Sequence, residues 1–365
     1  MVKRLPIDNP PNPWSAAQVE FDVGEPPRQG LEVYEDDSRS ILSENDSPDL
    51  PFRYSLNPYR GCLHACAYCY ARPTHEYLGF GAGTDFDRRI VIKRQAASLL
   101  RAAFERRSWT GETILFSGNT DCYQPLEASL GLTRDCLAVC AEYRNPVHVI
   151  TKAALIERDL ALLERLHRDA RLGITISIPL WQEAAARALE PGAPTPARRI
   201  ETVRRLASAG LHVTVNIGPL IPGLSDRDLP RILEQSARAG AQRAALILLR
   251  LPGPVLSVFE QRLHRELPLV AAKVMARMRE ARRGELQSNR VFERMTGQGE
   301  YFRTLQAVFD ATARRLGLEL GEGGGALALG APGTNTFRRP TDRGGQLRLF
   351  DPRPDAAAPA ARVRG

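Results

Sequence analysis

Asn57-Pro58-Tyr59-Arg60-Gly61-Cys62-Leu63-His64-Ala65-Cys66-Ala67-Tyr68-Cys69-Tyr70 spaces three cysteines as C-x3-C-x2-C, directly after the strand-like run 54–57. Three thiolates on one short loop can wrap one face of a cuboidal iron–sulfur cluster, because soft sulfur suits iron and the short spacers keep all three in reach. With no fourth cysteine in the motif, one iron stays open to chelate a ligand. A zinc site completed by His64 or a remote cysteine is the other reading of such a loop. Zinc loops favour paired C-x2-C knuckles, and no matching second pair is present.

Outward from this loop, apolar strand-like runs alternate with amphipathic helical stretches. The runs fall at 54–57, 113–117, 147–151, 173–178, 212–217 and 244–249. Helices are expected near 90–106, 131–143, 154–168, 196–209 and 226–239. This alternation specifies an α/β fold on a parallel sheet. Six units are too few for a closed eight-fold barrel, and no GxGxxG turn is present. The expected architecture is a partial (β/α)6 barrel over 51–254, with functional residues at the C-terminal ends of its strands. Residues 1–50 are rich in Pro, Asp, Ser and Glu and are expected to form an extended or disordered arm. Residues 255–318 read as a helical C-terminal extension, and the Gly-, Pro- and Arg-rich stretch 319–365 as a mostly flexible tail.

The chain has 365 residues, 43% of them hydrophobic, enough to bury a sizeable core. Six cysteines and the lack of an apolar N-terminal run point to a cytoplasmic protein with reduced thiols. The longest apolar runs are far short of a membrane span, so no membrane association is expected. A formal charge of +8 permits a polyanionic partner such as DNA or RNA, but the arginines are spread over many helical faces and form no compact block.

The C-x3-C-x2-C spacing, with an aromatic residue directly before the third cysteine, resembles the radical S-adenosylmethionine (SAM) superfamily. The Tyr68-Cys69-Tyr70 ending resembles the branch containing spore photoproduct lyase and related DNA repair lyases. The resemblance implies that Cys62, Cys66 and Cys69 hold a [4Fe–4S] cluster whose free iron binds SAM. One electron, from a donor such as flavodoxin or ferredoxin, then cleaves SAM to methionine and a 5′-deoxyadenosyl radical that abstracts hydrogen from substrate. The cofactors supply the chemistry and the protein supplies position and shelter. The implied activity is a lyase-like reaction on a DNA lesion. Radical chemistry on tRNA, protein or a small metabolite stays open, as does a cluster-bearing sensing protein that never cleaves SAM.

The resemblance also implies a SAM pocket. Ser117, Gly118, Thr120 and Asp121 follow the second strand, where the family approaches the amino-acid part of SAM. Lys152, after the third, matches a lysine meeting the SAM carboxylate, a sensible partner for a buried anion. Ser177 on the fourth strand matches a serine that in the family points at the same ligand. Arg199 completes a pattern begun by Glu190-Pro191-Gly192, just inside a helix announced by Thr195-Pro196. Asn216 opens the bent segment Asn216-Ile217-Gly218-Pro219, suited to nucleoside packing.

One departure is informative. Spore photoproduct lyase returns hydrogen to its product from a cysteine three residues before the aspartate matching Asp121, and here that position is Gly118. Cys122, the nearest thiol, is the candidate hydrogen donor. Cys136 and Cys140, four apart on an expected helix with Leu132, Leu137 and Val139, read as buried packing residues. Near the C-terminus, Gln346-Leu347-Arg348-Leu349-Phe350 resembles the pentapeptide with which bacterial repair proteins dock on the polymerase sliding clamp. Gln346 would bond at the pocket rim while Leu347, Leu349 and Phe350 fill an apolar groove.

Overall fold

A computed structural model describes residues 30–48, 50–286, 290–320 and 335–340. Six parallel strands run side by side in chain order: Tyr54–Leu56, Ile114–Phe116, Val147–Thr151, Leu172–Ser177, Val213–Leu220 and Arg243–Leu248. Glu319–Leu320 extends the sheet in parallel beside the last of them, and Leu42–Glu44 pairs antiparallel with the first. The result is an eight-stranded sheet with two distinct edge strands, a partial rather than closed barrel. The sequence expectation of an α/β partial barrel therefore holds.

Strand alternation divides the residues between two faces. Ile174 and Ile176 join the main core beneath the helices, so Thr175 and Ser177, each one residue further on, take the opposite face. The same step of two places Val213, Val215 and Ile217 in that core and gives Thr214 and Asn216 the other face. Buried side chains of the intervening helices close the outer layer, including Leu100 and Phe104 of Ala96–Glu105 and Val203 and Leu206 of Pro196–Ser208. The helix Pro196–Ser208 starts as its sequence announces, with the Thr195 side chain accepting from the Arg198 N–H and proline in the first turn.

Three stretches differ from expectation. The helix expected near 90–106 begins only at Ala96, because Arg89–Ile92 is a strand. Its β-branched Ile90-Val91-Ile92 run pairs parallel with Glu32–Glu35 and antiparallel with Tyr59–Arg60, forming a small second sheet. Where it is described, the N-terminal arm thus supplies strands to both sheets. Within the tail, residues 335–340 dock on the barrel. The Arg338 N–H donates to the Tyr143 carbonyl at 2.8 Å, and the Arg339 guanidinium donates to the Phe104 and Arg106 carbonyls at 3.0 and 2.7 Å. Phe337 packs edge-on to Phe104 and stacked on Tyr143, with centroids 5.7 and 6.2 Å away. Gly111 leaves room for it, since a Cβ there would sit 2.2 Å from Phe337 Cβ. Phe337→Ala is expected to lower unfolding free energy by about 2 kcal/mol in urea titration, less than for a fully buried phenylalanine because the ring is half-buried.

His148, on the third strand, is 1% exposed, and its Nε2 lies 2.8 Å from Thr175 Oγ1. Burial pulls its pKa down from 6.5 to about 4. The unfolded chain therefore takes up the proton first. This contribution is intact above pH 6.5 and is lost as pH falls toward 4, by about 3 kcal/mol for the full shift. Urea midpoints should fall across that window, and His148→Gln should flatten the fall.

Candidate active site at the strand ends

The three cysteines sit on the loop after the first barrel strand, with Cys62 and Cys66 buried and Cys69 partly so. The turn into the loop requires Gly61, at φ +79°, where a Cβ would meet His75 Cε1 at 2.8 Å and the Phe86 carbonyl oxygen at 2.9 Å. Backbone and side chains then lock the loop from several sides. Gln124 receives the Leu63 N–H and donates to the Gly61 carbonyl, each at 3.0 Å. The buried Arg72 guanidinium donates twice to the Cys66 carbonyl, at 3.0 and 2.8 Å, and pairs with Asp87 at 2.8 Å. Ala67 donates to the Leu189 carbonyl, and Gly192 to the His64 carbonyl. Gly192 passes so close that an added Cβ would lie 1.9 Å from the Leu63 carbonyl oxygen.

Two carboxylates organise what faces this loop. Asp121, after the second strand, accepts from the Thr151 hydroxyl and the Tyr123 N–H on Oδ1, and from the Lys152 N–H on Oδ2 at 2.8 Å. His64 Nδ1 lies 3.3 Å from the same Oδ2. Burial pushes the Asp121 carboxyl up, but His64 and the Thr151 and Lys152 hydrogen bonds outweigh it and hold the group at about 2. Glu190 is the second. Its Oε2 meets Arg199 Nη2 at 2.5 Å, its Oε1 lies 3.9 Å from Lys152 Nζ, and it accepts from the Tyr68 hydroxyl. Burial raises the Glu190 carboxyl, and Arg199 and Lys152 together bring it below its ordinary value.

Two of the five described non-glycine residues with positive φ lie at this site. Ala65, between the first two cysteines, and Ser117, at the end of the second strand, both hold the left-handed region, at φ +53° and +76°. Non-glycine residues there cost on the order of 1 kcal/mol, and such strain gathers at functional sites. The Ser117 Oγ accepts from the Cys122 N–H at 2.8 Å and supports its turn.

Residues 56–235 match the model of the Radical SAM superfamily. Uncharacterized protein Rv2578c of Mycobacterium tuberculosis is 37% identical over 234 residues, covering 63% of this chain and 69% of the relative. This chain belongs to the radical SAM superfamily. Uncharacterized protein MJ0683 of Methanocaldococcus jannaschii shares 29% over 174 residues, 48% of this chain and 62% of its own. Among solved structures, a spore photoproduct lyase mutant with bound AdoMet and dinucleoside spore photoproduct superposes with a TM-score of 0.59 at 16% identity, over 83% of this chain and 87% of the other. Like its superfamily, this radical SAM protein uses a [4Fe–4S] cluster and SAM as cofactors.

The residues present fit both. Cys69 packs against both the apolar cluster that holds Cys66 and the one that holds Cys62, so the three thiols are neighbours; burial first, then Asp121 and the other two thiols, push the Cys62 thiol up. Among the described residues no three His, Cys, Asp or Glu side chains are gathered closely enough to hold a single ion. A cuboidal cluster does not need that gathering, since each thiolate binds its own iron. Burial pushes the Cys66 thiol up to about 12, with Lys152 and Arg199 pulling the other way, so loading the site releases protons. For SAM, Asn216 offers a buried Oδ1 without a hydrogen-bond partner, level with Ser177 at the strand ends. Lys152 places its ammonium over the Tyr68 ring, 5.8 Å from the centroid.

The other expected residues divide. The Gly118 carbonyl accepts from the half-exposed Tyr70 hydroxyl at 2.7 Å, and a Cβ on Gly118 would strike Ser55 Cβ at 2.8 Å. Thr120 donates to the Tyr59 carbonyl, and Arg199 to the Ser177 carbonyl. These bonds are internal to the protein, so Thr120 and Arg199 shape the pocket walls. Cys122, the candidate hydrogen donor, is fully buried in the main apolar core, with its carbonyl accepting from the Thr133 hydroxyl at 2.6 Å. Cys136 and Cys140 are core residues of helix Leu132–Glu142, as their spacing indicates.

The sequence does not single out two residues of the site: His64, beyond its place in the cysteine loop, and Asn57, whose Oδ1 receives the Asn119 and Thr120 N–H groups. Asn57 opens the cysteine segment itself. Only its position beside the motif signalled it, because its partners lie more than sixty residues away. Among the described residues no helix is long and apolar enough to cross a membrane.

Proposed function

We propose that this radical SAM enzyme acts on nucleic acid, with reversal of a DNA lesion as its reaction class. The observation that carries the reading is the set of residues at the strand ends, three thiols and an unpartnered Asn216 Oδ1, on a fold shared with a lyase whose structure holds a dinucleoside spore photoproduct. The charge of +8 supports a polyanionic substrate. In this reading Cys62, Cys66 and Cys69 hold three irons. Lys152 meets the SAM carboxylate, Asn216 accepts from a SAM hydroxyl or amine, and Asp121 and Glu190 fix the cysteine loop and Lys152. Bound together and reduced by one electron, the cofactors supply a carbon-centred radical able to take hydrogen from an unactivated C–H bond. The buried walls keep water and oxygen from that species.

The reaction is not a copy of spore photoproduct cleavage, because Gly118 stands where that enzyme has its hydrogen-returning cysteine and Cys122 is packed in the core. Flavodoxin or ferredoxin is the proposed electron source. The segment Gln346–Phe350 lies outside the described residues, and its docking on the sliding clamp belongs to the same proposal. Clamp pull-down should be lost in the Leu349→Ala, Phe350→Ala chain.

The test is an anaerobic assay with dithionite, SAM and oligonucleotides carrying defined lesions, following 5′-deoxyadenosine and oligonucleotide mass by liquid chromatography. Conversion of a lesion-bearing oligonucleotide, coupled to nucleoside formation, supports the reading. Nucleoside formation with every DNA unchanged while tRNA, peptide or metabolite pools are converted would overturn it.

A further inference from the structure

The geometry points to His64 as a positioning residue for the cluster, one arm of a bracket that sets where Cys66 stands. This inference rests on the cysteines as cluster ligands and adds how the protein places them. His64 and Tyr68 each lie two residues from Cys66, on opposite sides. His64 reaches Asp121, with Nδ1 at 3.3 Å from Oδ2, while Tyr68 donates its hydroxyl to Glu190. Both side chains are buried, at 2% and 5% exposure.

The two carboxylates are themselves joined through one residue. Lys152 donates its N–H to Asp121 at 2.8 Å and places its Nζ 3.9 Å from Glu190. Asp121 is fixed by the Thr151 hydroxyl at 2.6 Å, and Glu190 by Arg199 at 2.5 Å. Backbone bonds repeat the arrangement, His64 accepting from Gly192 and Ala67 donating to Leu189. The stretch from 64 to 68 is thereby held at both ends, against Asp121 after the second strand and against the 189–192 turn. A loop with a left-handed Ala65 inside it would otherwise relax, and thiolates that drift hold a rigid cuboid poorly.

A purely structural role would make His64 a packing residue whose loss lowers stability and nothing else. A positioning role makes the cluster itself respond, since ligand-orienting partners outside the ligand set typically carry about 10–100-fold in metal affinity. His64→Leu and His64→Gln chains, both full length, would be reconstituted anaerobically beside wild type. Four properties are read: iron and sulfide per chain, the rate of iron loss to a chelator, the spectrum and potential of the reduced cluster by electron paramagnetic resonance, and thermal midpoint. His64→Leu is expected to lose iron about tenfold faster and to shift the resonance, with His64→Gln, which retains an N–H donor, recovering most of both. Iron retention, resonance and potential equal to wild type in His64→Leu would overturn the inference, whether or not its thermal midpoint falls. Wild type that takes up no cluster would instead overturn the reading of the cysteines on which this rests.

Discussion

Alanine at Cys62, Cys66 and Cys69 together is expected to leave a folded chain that binds no cluster and forms no 5′-deoxyadenosine above background. The three thiols pack at the edges of two smaller apolar clusters outside the main core, on a loop whose other anchors, Arg72, Gln124, Asp121 and Glu190, are untouched by the change. Removing two buried thiols and one partly buried one, all with pKa values raised by burial, removes groups that are apolar when protonated, so the stability cost should stay within about 3 kcal/mol. Iron analysis, visible absorbance and anaerobic product chromatography check it. A triple variant that still cleaved SAM would remove the cysteines from the chemistry.

Glu190→Ala should cost more stability than any other single change near the site, about 3–5 kcal/mol. Arg199 is 1% exposed and loses its 2.5 Å carboxylate partner, leaving a guanidinium with only the Pro194 and Ser177 carbonyls for company. Lys152 loses its counter-charge at 3.9 Å, and the buried Tyr68 hydroxyl loses its acceptor. An unpaired buried cation costs far more than an intact pair contributes. Glu190→Gln keeps the shape and an acceptor oxygen but not the charge, so its loss should be intermediate. Urea titration under anaerobic conditions gives the order. Equal stability in all three chains would show that water reaches Arg199 in solution.

Much of the fold could be read from the sequence because its signals are local. Six apolar runs separated by amphipathic stretches specify strand and helix by period, and short-range spacing makes C-x3-C-x2-C legible without any partner. The 89–92 strand was missed because Ile90-Val91-Ile92 adjoins a helical stretch with no break between them, and the partners that make it a strand, Glu32–Glu35 and Tyr59–Arg60, are remote or short. The docked 335–340 segment was missed for the same reason. Asn335-Thr336-Phe337-Arg338-Arg339-Pro340 has the composition of a loop, and its order comes from Phe104, Tyr143 and the carbonyls at 104–110.

By itself, the sequence determined that this chain builds a partial barrel and carries the cysteine loop of a radical SAM enzyme, since both follow from residues near one another along the chain. Tertiary structure alone decided which polar groups do what. It buried Cys122 in the main core, drew His64 into contact with Asp121, and assembled Tyr68, Lys152, Glu190 and Arg199 into one network. His64 and Asp121 stand 57 positions apart and Tyr68 and Glu190 122, and a polar group has no preferred partner at that distance along a chain until the sheet brings one beside it.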